Sequence, residues 1–353
     1  MRTGEAPVTR IDDRSVDERI PITLLTGFLG AGKTTLVNRL LSAPDAGKIA
    51  VIVNEFGEIG IDGDLIARAN EDMLELTNGC ICCAAQGDLM DGLNRLFLRK
   101  TTGIADPSPL ARLFYTDMKL DLTFRLDAVL TVVDLKHVIG QIARSPEAEK
   151  QIAIADKLIF NKRDLVDDAE FADAVAAVER LNPFSVKEVT THGALPIDRL
   201  LDLDLFEPKR RDDMVGAWIG ADQPASASGE AGDHAHDDHV HTPGVGAVCL
   251  QSREPLEWNA LLRFFLDLAQ EKGENLFRVK GMVHFQNVEK PVIFQGVQAT
   301  FSPPTYAESW PRGEVETRIV VIGRDLDAAE MQARFAACIA RRETVLDRGL
   351  GAI

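Results

Sequence analysis

Short apolar runs recur along the first half of the chain. Residues 22–25, 49–53, 128–133 and 158–160 are each rich in leucine or β-branched residues and are followed by glycines or polar turn residues. Such runs predict buried strands. Between them, residues 35–41 and 171–181 carry helix-like spacing. Strands alternating with helices imply a parallel sheet, because parallel crossovers lay helices over both faces. From Phe206 the pattern breaks. Residues 208–244 pass through Lys/Arg/Asp, then Ala/Ser/Gly, then His/Asp, with no hydrophobic periodicity, which predicts a flexible connector. Beyond it the pattern predicts a strand at 247–250, a helix at 255–270, strands at 276–285, 292–301 and 317–323, and a closing helix at 326–342. That grouping predicts a smaller α+β domain. The expected organisation is a flexible N-terminus over 1–20, an α/β domain over 21–206, an acidic His-rich linker over 207–244 and the α+β domain over 245–345. No internal repeat is visible.

Length and composition narrow the class. A chain of 353 residues suits two modest domains, and 45% apolar with 27% charged residues excludes wholesale disorder. Lys+Arg 39 against Asp+Glu 55 gives 39 − 55 = −16. That charge repels polyphosphate backbones and anionic lipid, so neither nucleic acid nor membrane is an expected partner. No apolar run approaches the roughly 18–20 residues of a membrane span. Residues 1–20 are polar and charged, with no apolar leader segment, so a cytoplasmic protein is expected. Three of the five cysteines fall within four positions, which does not resemble a disulfide framework.

The sequence Gly27-Phe-Leu-Gly30-Ala31-Gly32-Lys33-Thr34-Thr35 follows a predicted strand and precedes a predicted helix. Glycines at this spacing let backbone N–H groups turn inward around phosphates, and the helix N-terminus adds its positive end. Gly27, Gly30, Ala31, Gly32 and Thr35 would line that cradle, Lys33 would reach the β/γ-phosphates, and Thr34 would hold Mg²⁺. A chance glycine turn is the bland alternative. At the end of the run 158–160 stands Asn161-Lys162-Arg163-Asp164. A carboxylate such as Asp164 can accept from both N1–H and the 2-amino group of guanine, an arrangement adenine does not offer. Lys162 would lay its stem along the base, and Asn161 would tie the loop. Alone the four residues read as a surface turn; after a phosphate loop they point to GTP.

Cys80-Ile-Cys82-Cys83 carries three thiols, two at C-x-x-C spacing, ahead of a helix-like stretch at 88–97. Thiolates near a helix N-terminus have lowered pKa values and suit Zn²⁺ or Cu(I). Zinc takes four ligands, so three sulfurs leave an opening, as a carrier requires. Buried structural cysteines and a redox pair are the other readings. His234, His236, His239 and His241 hold four of the seven histidines within eight positions, interleaved with Asp233, Asp237 and Asp238. They form a weak divalent-ion surface or a solvated acidic linker. His137, His192 and His284 are isolated and read as ordinary core or surface residues.

Taken together, these residues resemble the CobW-type family of GTP-dependent metallochaperones, from about residue 21 to about 338. The pieces that carry the resemblance are Thr26-Gly-Phe-Leu-Gly-Ala-Gly-Lys-Thr-Thr35, Val53-Asn-Glu-Phe-Gly-Glu-Ile-Gly-Ile-Asp62, Thr77-Asn-Gly-Cys-Ile-Cys-Cys83, Thr101-Thr-Gly-Ile-Ala-Asp-Pro107, Asn161-Lys-Arg-Asp164 and Phe277-Arg-Val-Lys-Gly281. The resemblance implies a P-loop NTPase parallel sheet flanked by helices, then a smaller α+β domain. It implies GTP hydrolysis and delivery of a divalent ion, Zn²⁺ or Co²⁺, to a client metalloprotein. It also implies that residues 57–62 act as a first switch with Asp62 near the Mg²⁺, and that Gly103 meets the γ-phosphate. The cysteines would then lie between two switches, so hydrolysis could release the ion.

The chain departs from the family pattern at one place. An acidic residue is expected three positions before Gly103, at the end of an apolar strand, and here Lys100 stands there. A strand and its loop, about 10–15 residues, read as missing, whether deleted from the protein or lost in the reading of its gene. A cation in place of a carboxylate weakens the Mg²⁺ site. The expectation is a GTP-binding and GTP-hydrolysing metallochaperone that carries Zn²⁺, with hydrolysis slow or absent if the segment is truly deleted from the protein. Cobalt delivery for cobalamin synthesis and a hydrolysis-impaired metal buffer remain alternatives.

Overall fold

The computed structural model describes residues 19–43, 49, 52–53, 74–75, 107–116, 122, 124–205 and 244–340. A four-stranded parallel sheet in the order β1-β4-β5-β6 forms the centre of the N-terminal part. Its strands are β1 (Ile20–Gly27), β4 (Phe124–Asp134), β5 (Lys157–Asn161) and β6 (Val186–Val189). All eleven residues of β4 are buried, as a strand with neighbours on both edges and cover on both faces must be. Successive residues point to opposite layers. Ala128, Leu130, Val132 and Ile159 pack with Leu36 of α1 (Lys33–Leu41) and with Leu200, Leu203 and Leu205. Val133, Leu158 and Phe160 pack instead with α3 (Val138–Ile142), α4 (Pro146–Ile154) and α5 (Asp168–Leu181).

Local chemistry fixes where these helices start and stop. Asp167 caps α5 by accepting from the Glu170 N–H, while Glu170 reaches back to the Asp167 N–H. Ser145 caps α4, with Pro146 at its first position. The last carbonyls of α4 are covered from a distance: the Asn182 amide donates to Ile152, Ala153 and Ala155. A short parallel pair, β2 (Ile52–Val53) with β3 (Leu74–Glu75), forms a separate two-stranded sheet. Residues 76–106, which carry the expected strand loss and Lys100, lie outside the described residues, as do 1–18 and 206–243.

The C-terminal part is an antiparallel sheet ordered β10-β9-β8-β12-β7, with β11 (Thr305–Tyr306) also on β9. Its strands are β7 (Val245–Ser252), β8 (Leu276–Val283), β9 (Val292–Val297), β10 (Thr300–Phe301) and β12 (Thr317–Arg324). The single strand expected over 292–301 is two strands, because Gln298 turns left-handed at φ 54° and folds β10 back on β9. The closing helix α7 (Ala328–Ala336) is shorter than the expected 326–342. One face of this sheet carries Val279, Ile319 and Val321 against α6 (Trp258–Lys272) and α7. The opposite face carries Phe277, Val320 and Ile322 against Ala153 and Phe184 of the parallel-sheet part.

That contact also holds buried charge. Asp156, fully buried before β5, accepts from Arg278 Nη2 at 3.0 Å and Lys280 Nζ at 2.6 Å, both on β8. Its other oxygen accepts from the Val129 N–H at 2.9 Å. Burial pushes the Lys280 amine down to about 8, against the pull of Asp156. Val297 adds an apolar contact, packing with Ala111 and Phe114 of α2 (Ser108–Thr116). Arg112 of α2 donates to Gln298 Oε1 and Thr300 Oγ1. Asp156→Ala leaves two cations in the contact without their carboxylate, and a loss of about 3–5 kcal/mol is expected from urea unfolding. A loss under about 1 kcal/mol would mean these charges are solvated.

Candidate functional site

The parallel sheet aims β1, β4 and β5 at one edge, and the loops leaving them meet there. β1 ends at Gly27, whose φ of 143° and lack of a side chain let the chain turn beneath Val132; a Cβ would stand 2.4 Å from the Val132 carbonyl. Gly32 (φ 104°) is the N-cap of α1 and offers no side chain to its first N–H groups. Those donors and the helix dipole therefore favour an anion. Lys33 folds over the loop, its amine donating to the Gly27 carbonyl at 2.8 Å and the Phe28 carbonyl at 3.1 Å. Thr34 follows in the first turn of α1. The donor set fits a phosphate chain.

β5 delivers Asn161, a residue only 2% exposed. Its Nδ2 donates to the Ala31 carbonyl at 2.9 Å, and its Oδ1 accepts from the Gly193 N–H at 3.1 Å. One side chain thus ties the phosphate loop, the 161–164 loop and the 190–194 loop together. The fit is tight, since a Cβ on Gly32 would lie 2.4 Å from Asn161 Nδ2. Lys162 adopts a left-handed backbone at φ 64° and sends its amine to Asp134 Oδ2, 2.7 Å away. Asp164 lies 36% exposed, with His192 Nε2 at 3.9 Å from its Oδ2. Arg163 pairs with Asp168 and stacks on Phe171, anchoring the loop to the start of α5.

Asp134 terminates β4 beside Asn161, its partner in register. Its carboxylate is 3% exposed and also takes His137 Nδ1 at 3.0 Å and the Lys136 N–H at 3.1 Å. Burial works to raise its pKa, and the hydrogen bonds from Lys162 and His137 outweigh this and hold it below the usual carboxylate range.

The residues expected to hold nucleotide, Gly27, Gly30, Ala31, Gly32, Lys33, Thr34, Thr35, Asn161, Lys162 and Asp164, thus come from two segments that Asn161 joins. Gly103, Cys80, Cys82, Cys83 and the tract His234, His236, His239 and His241 lie outside the described residues. Among the described residues no group of three His, Cys, Asp or Glu is placed to hold a metal ion. Cys249 and Cys338 are free, and burial pushes both thiols up, Cys249 to about 11. His137 and His192, read from the sequence as ordinary residues, stand at this site. So does Asp134, which sequence reading passed over; its one signal was a lone carboxylate closing a buried apolar run.

The family description "CobW/HypB/UreG, nucleotide-binding domain" fits residues 21–185, and "Cobalamin synthesis protein cobW C-terminal domain" fits residues 245–339. The zinc chaperone YjiA of Escherichia coli (strain K12) is 30% identical over 331 residues, spanning 90% of this chain and 98% of that protein. The chain belongs to the CobW family. Another relative of this CobW-family chain is the zinc-regulated GTPase metalloprotein activator 1 of Schizosaccharomyces pombe, 30% identical over 90% of this chain and 85% of its own length. A third, the zinc chaperone CobW of Pseudomonas aeruginosa, is 31% identical over 91% of this chain and 92% of its own. The crystal structure of Zn(II)-bound YjiA GTPase from E. coli superposes with a TM-score of 0.65 at 27% identity, covering 91% of this chain and 99% of that one. The parallel sheet with flanking helices and the second antiparallel sheet agree with the fold expected from the sequence. No helix among the described residues is long and apolar enough to cross a membrane.

Gly32→Ala tests the tie between the loops. The added Cβ strains the left-handed N-cap and displaces Asn161 from the Ala31 carbonyl, so a stability loss of about 1–3 kcal/mol is expected in thermal unfolding. An unchanged midpoint would mean that the two loops part without cost.

Proposed function

We propose that this chain is a GTP-binding and GTP-hydrolysing metallochaperone that carries Zn²⁺ on Cys80, Cys82 and Cys83 and passes it to a client metalloprotein. The single observation that supports the nucleotide half is the Asn161 bridge, which joins the Asn161–Asp164 loop to the glycine-rich loop at Ala31. Lys33 and the N-terminus of α1 take the phosphates. Thr34 holds the Mg²⁺, which neutralises charge on the β- and γ-phosphates when bound. Asp164 accepts from guanine N1–H and the 2-amino group, and the Lys162 stem covers the base. The names of the CobW-family relatives support zinc over cobalt as cargo.

The metal half rests on motif chemistry. Three thiolates leave zinc one open position, through which a client's ligand can enter. In sequence the cysteines lie between residues 57–62 and Gly103, so γ-phosphate contacts that order those two segments would bear on the thiolates. His234, His236, His239 and His241 would gather ions weakly ahead of that site. The corresponding division is a nucleotide domain over 21–206, a linker over 207–244 and a second domain over 245–345. A second reading is favoured by Lys100: a cation where a carboxylate should steady Mg²⁺ favours a metal buffer that binds GTP without turning it over.

Phosphate release under saturating Mg-GTP, on protein of verified mass, separates the two. Turnover above the buffer background supports the chaperone cycle, and its absence with retained GTP binding supports the buffer. Asp164→Asn tests the base assignment. The amide cannot accept from N1–H and the 2-amino group together, yet its NH₂ can donate to the 2-carbonyl of xanthine. GDP affinity should fall at least about tenfold while XDP affinity rises. Unchanged GDP binding would remove Asp164 from the base site.

A further inference from the structure

We propose that Asp134 is a positioning residue for guanine-nucleotide binding: it holds Lys162 extended so that the lysine stem is already in place when the base arrives. The proposal rests on the reading of Asn161, Lys162 and Asp164 as the guanine-binding loop.

Three observations converge on Asp134. Sheet register sets it beside Asn161, so the end of β4 and the start of the base-reading loop stand side by side. The carboxylate is almost wholly buried and receives the Lys162 amine at 2.7 Å, within the range of a charge-assisted hydrogen bond. Lys162 itself has a left-handed backbone, φ 64°, a conformation that persists in a non-glycine residue only when its surroundings enforce it. The Arg163 N–H bond to the Thr190 carbonyl and the Leu165 N–H bond to the Lys162 carbonyl hold that turn, and the ion pair to Asp134 holds the side chain that leaves it.

A lysine stem has four rotatable bonds and would otherwise wander over the surface. Tethering the amine at one end and the backbone at the other leaves the aliphatic segment little freedom. A base that stacks on it then loses less entropy on binding, which is how preorganisation raises affinity. His137 Nδ1 meets the same carboxylate oxygen as the lysine, and the Lys136 N–H meets the other. Those contacts fix the carboxylate's plane. They also define the competing role for Asp134, as a turn former at the end of β4 with no part in nucleotide binding.

A double-mutant cycle separates the two roles. Binding of mant-GDP is measured for the full-length protein and for Asp134→Asn, Lys162→Met and both together, with thermal midpoints recorded alongside. Asparagine keeps an acceptor for the Lys136 N–H while discarding the charge. Each single substitution should weaken mant-GDP about tenfold, the order of one charge-assisted hydrogen bond, and the double variant should be no weaker than Lys162→Met alone. Losses that multiply, or wild-type affinity in Asp134→Asn, would overturn the positioning role while leaving the guanine reading intact. If Asp134→Asn melts below the assay temperature, Lys162→Met alone decides: it keeps the stem but cannot pair, so wild-type affinity would contradict the proposal. Failure of the unaltered protein to bind mant-GDP at all would remove the guanine reading itself, and this role with it.

Discussion

The Asn161 side chain is the constraint on which the site depends. The phosphate loop leaves β1, the Asn161–Asp164 loop leaves β5, and the 190–194 loop follows β6. Strand pairing and the Arg163 N–H, which donates to the Thr190 carbonyl at 3.3 Å, relate the last two to each other, and a further contact must relate the phosphate loop to both. Asn161 does so by donating to Ala31 and accepting from Gly193 inside a buried seam. Both partners are backbone groups, so the distance is set by main chain and tolerates little change at Gly32 or Gly193. A Cβ at Gly193 would press on Leu36 of α1 at 3.1–3.2 Å, which seats the third loop on the phosphate helix as well. Glycines here are a packing requirement as much as a conformational one.

β5 connects this seam to the second sheet. Its C-terminal residue is Asn161, and the residue just before its start is Asp156, which binds Arg278 and Lys280 of β8. A fully buried strand of five residues therefore spans from the nucleotide edge to the contact with the C-terminal sheet. The strand fixes the position of one polar cluster relative to the other. α2 makes a second connection to that sheet, reaching β10 and Gln298 through Arg112.

Much of this was legible in the sequence, for reasons that differ from element to element. The phosphate loop and the Asn161–Asp164 loop are local: glycine spacing, a strand before and a helix after determine them within a few residues. The buried strands showed as apolar runs because parallel strands covered on both faces need no polar alternation. α3, α4 and β6 were not read, since their short mixed stretches carry little periodicity and their positions are set by packing and by remote caps such as Asn182. Asp134, His137 and His192 were missed for a related reason. Each belongs to the site only through strand register or loop packing, which residue spacing along the chain does not encode. The same holds for Asp156, Arg278 and Lys280, far apart in sequence and joined only when the two sheets meet.

The proposed carrier cycle requires that nucleotide state at the Asn161-tied site govern ion binding at Cys80, Cys82 and Cys83. Zn²⁺ affinity measured by chelator competition, once with Mg-GTPγS and once with Mg-GDP on protein of verified mass, tests it most directly. A difference of at least about tenfold, equivalent to about 1.4 kcal/mol of coupling, is the predicted result. Equal affinities in the two states would contradict a nucleotide-gated carrier, and no zinc binding in either would take the cysteines out of the function altogether.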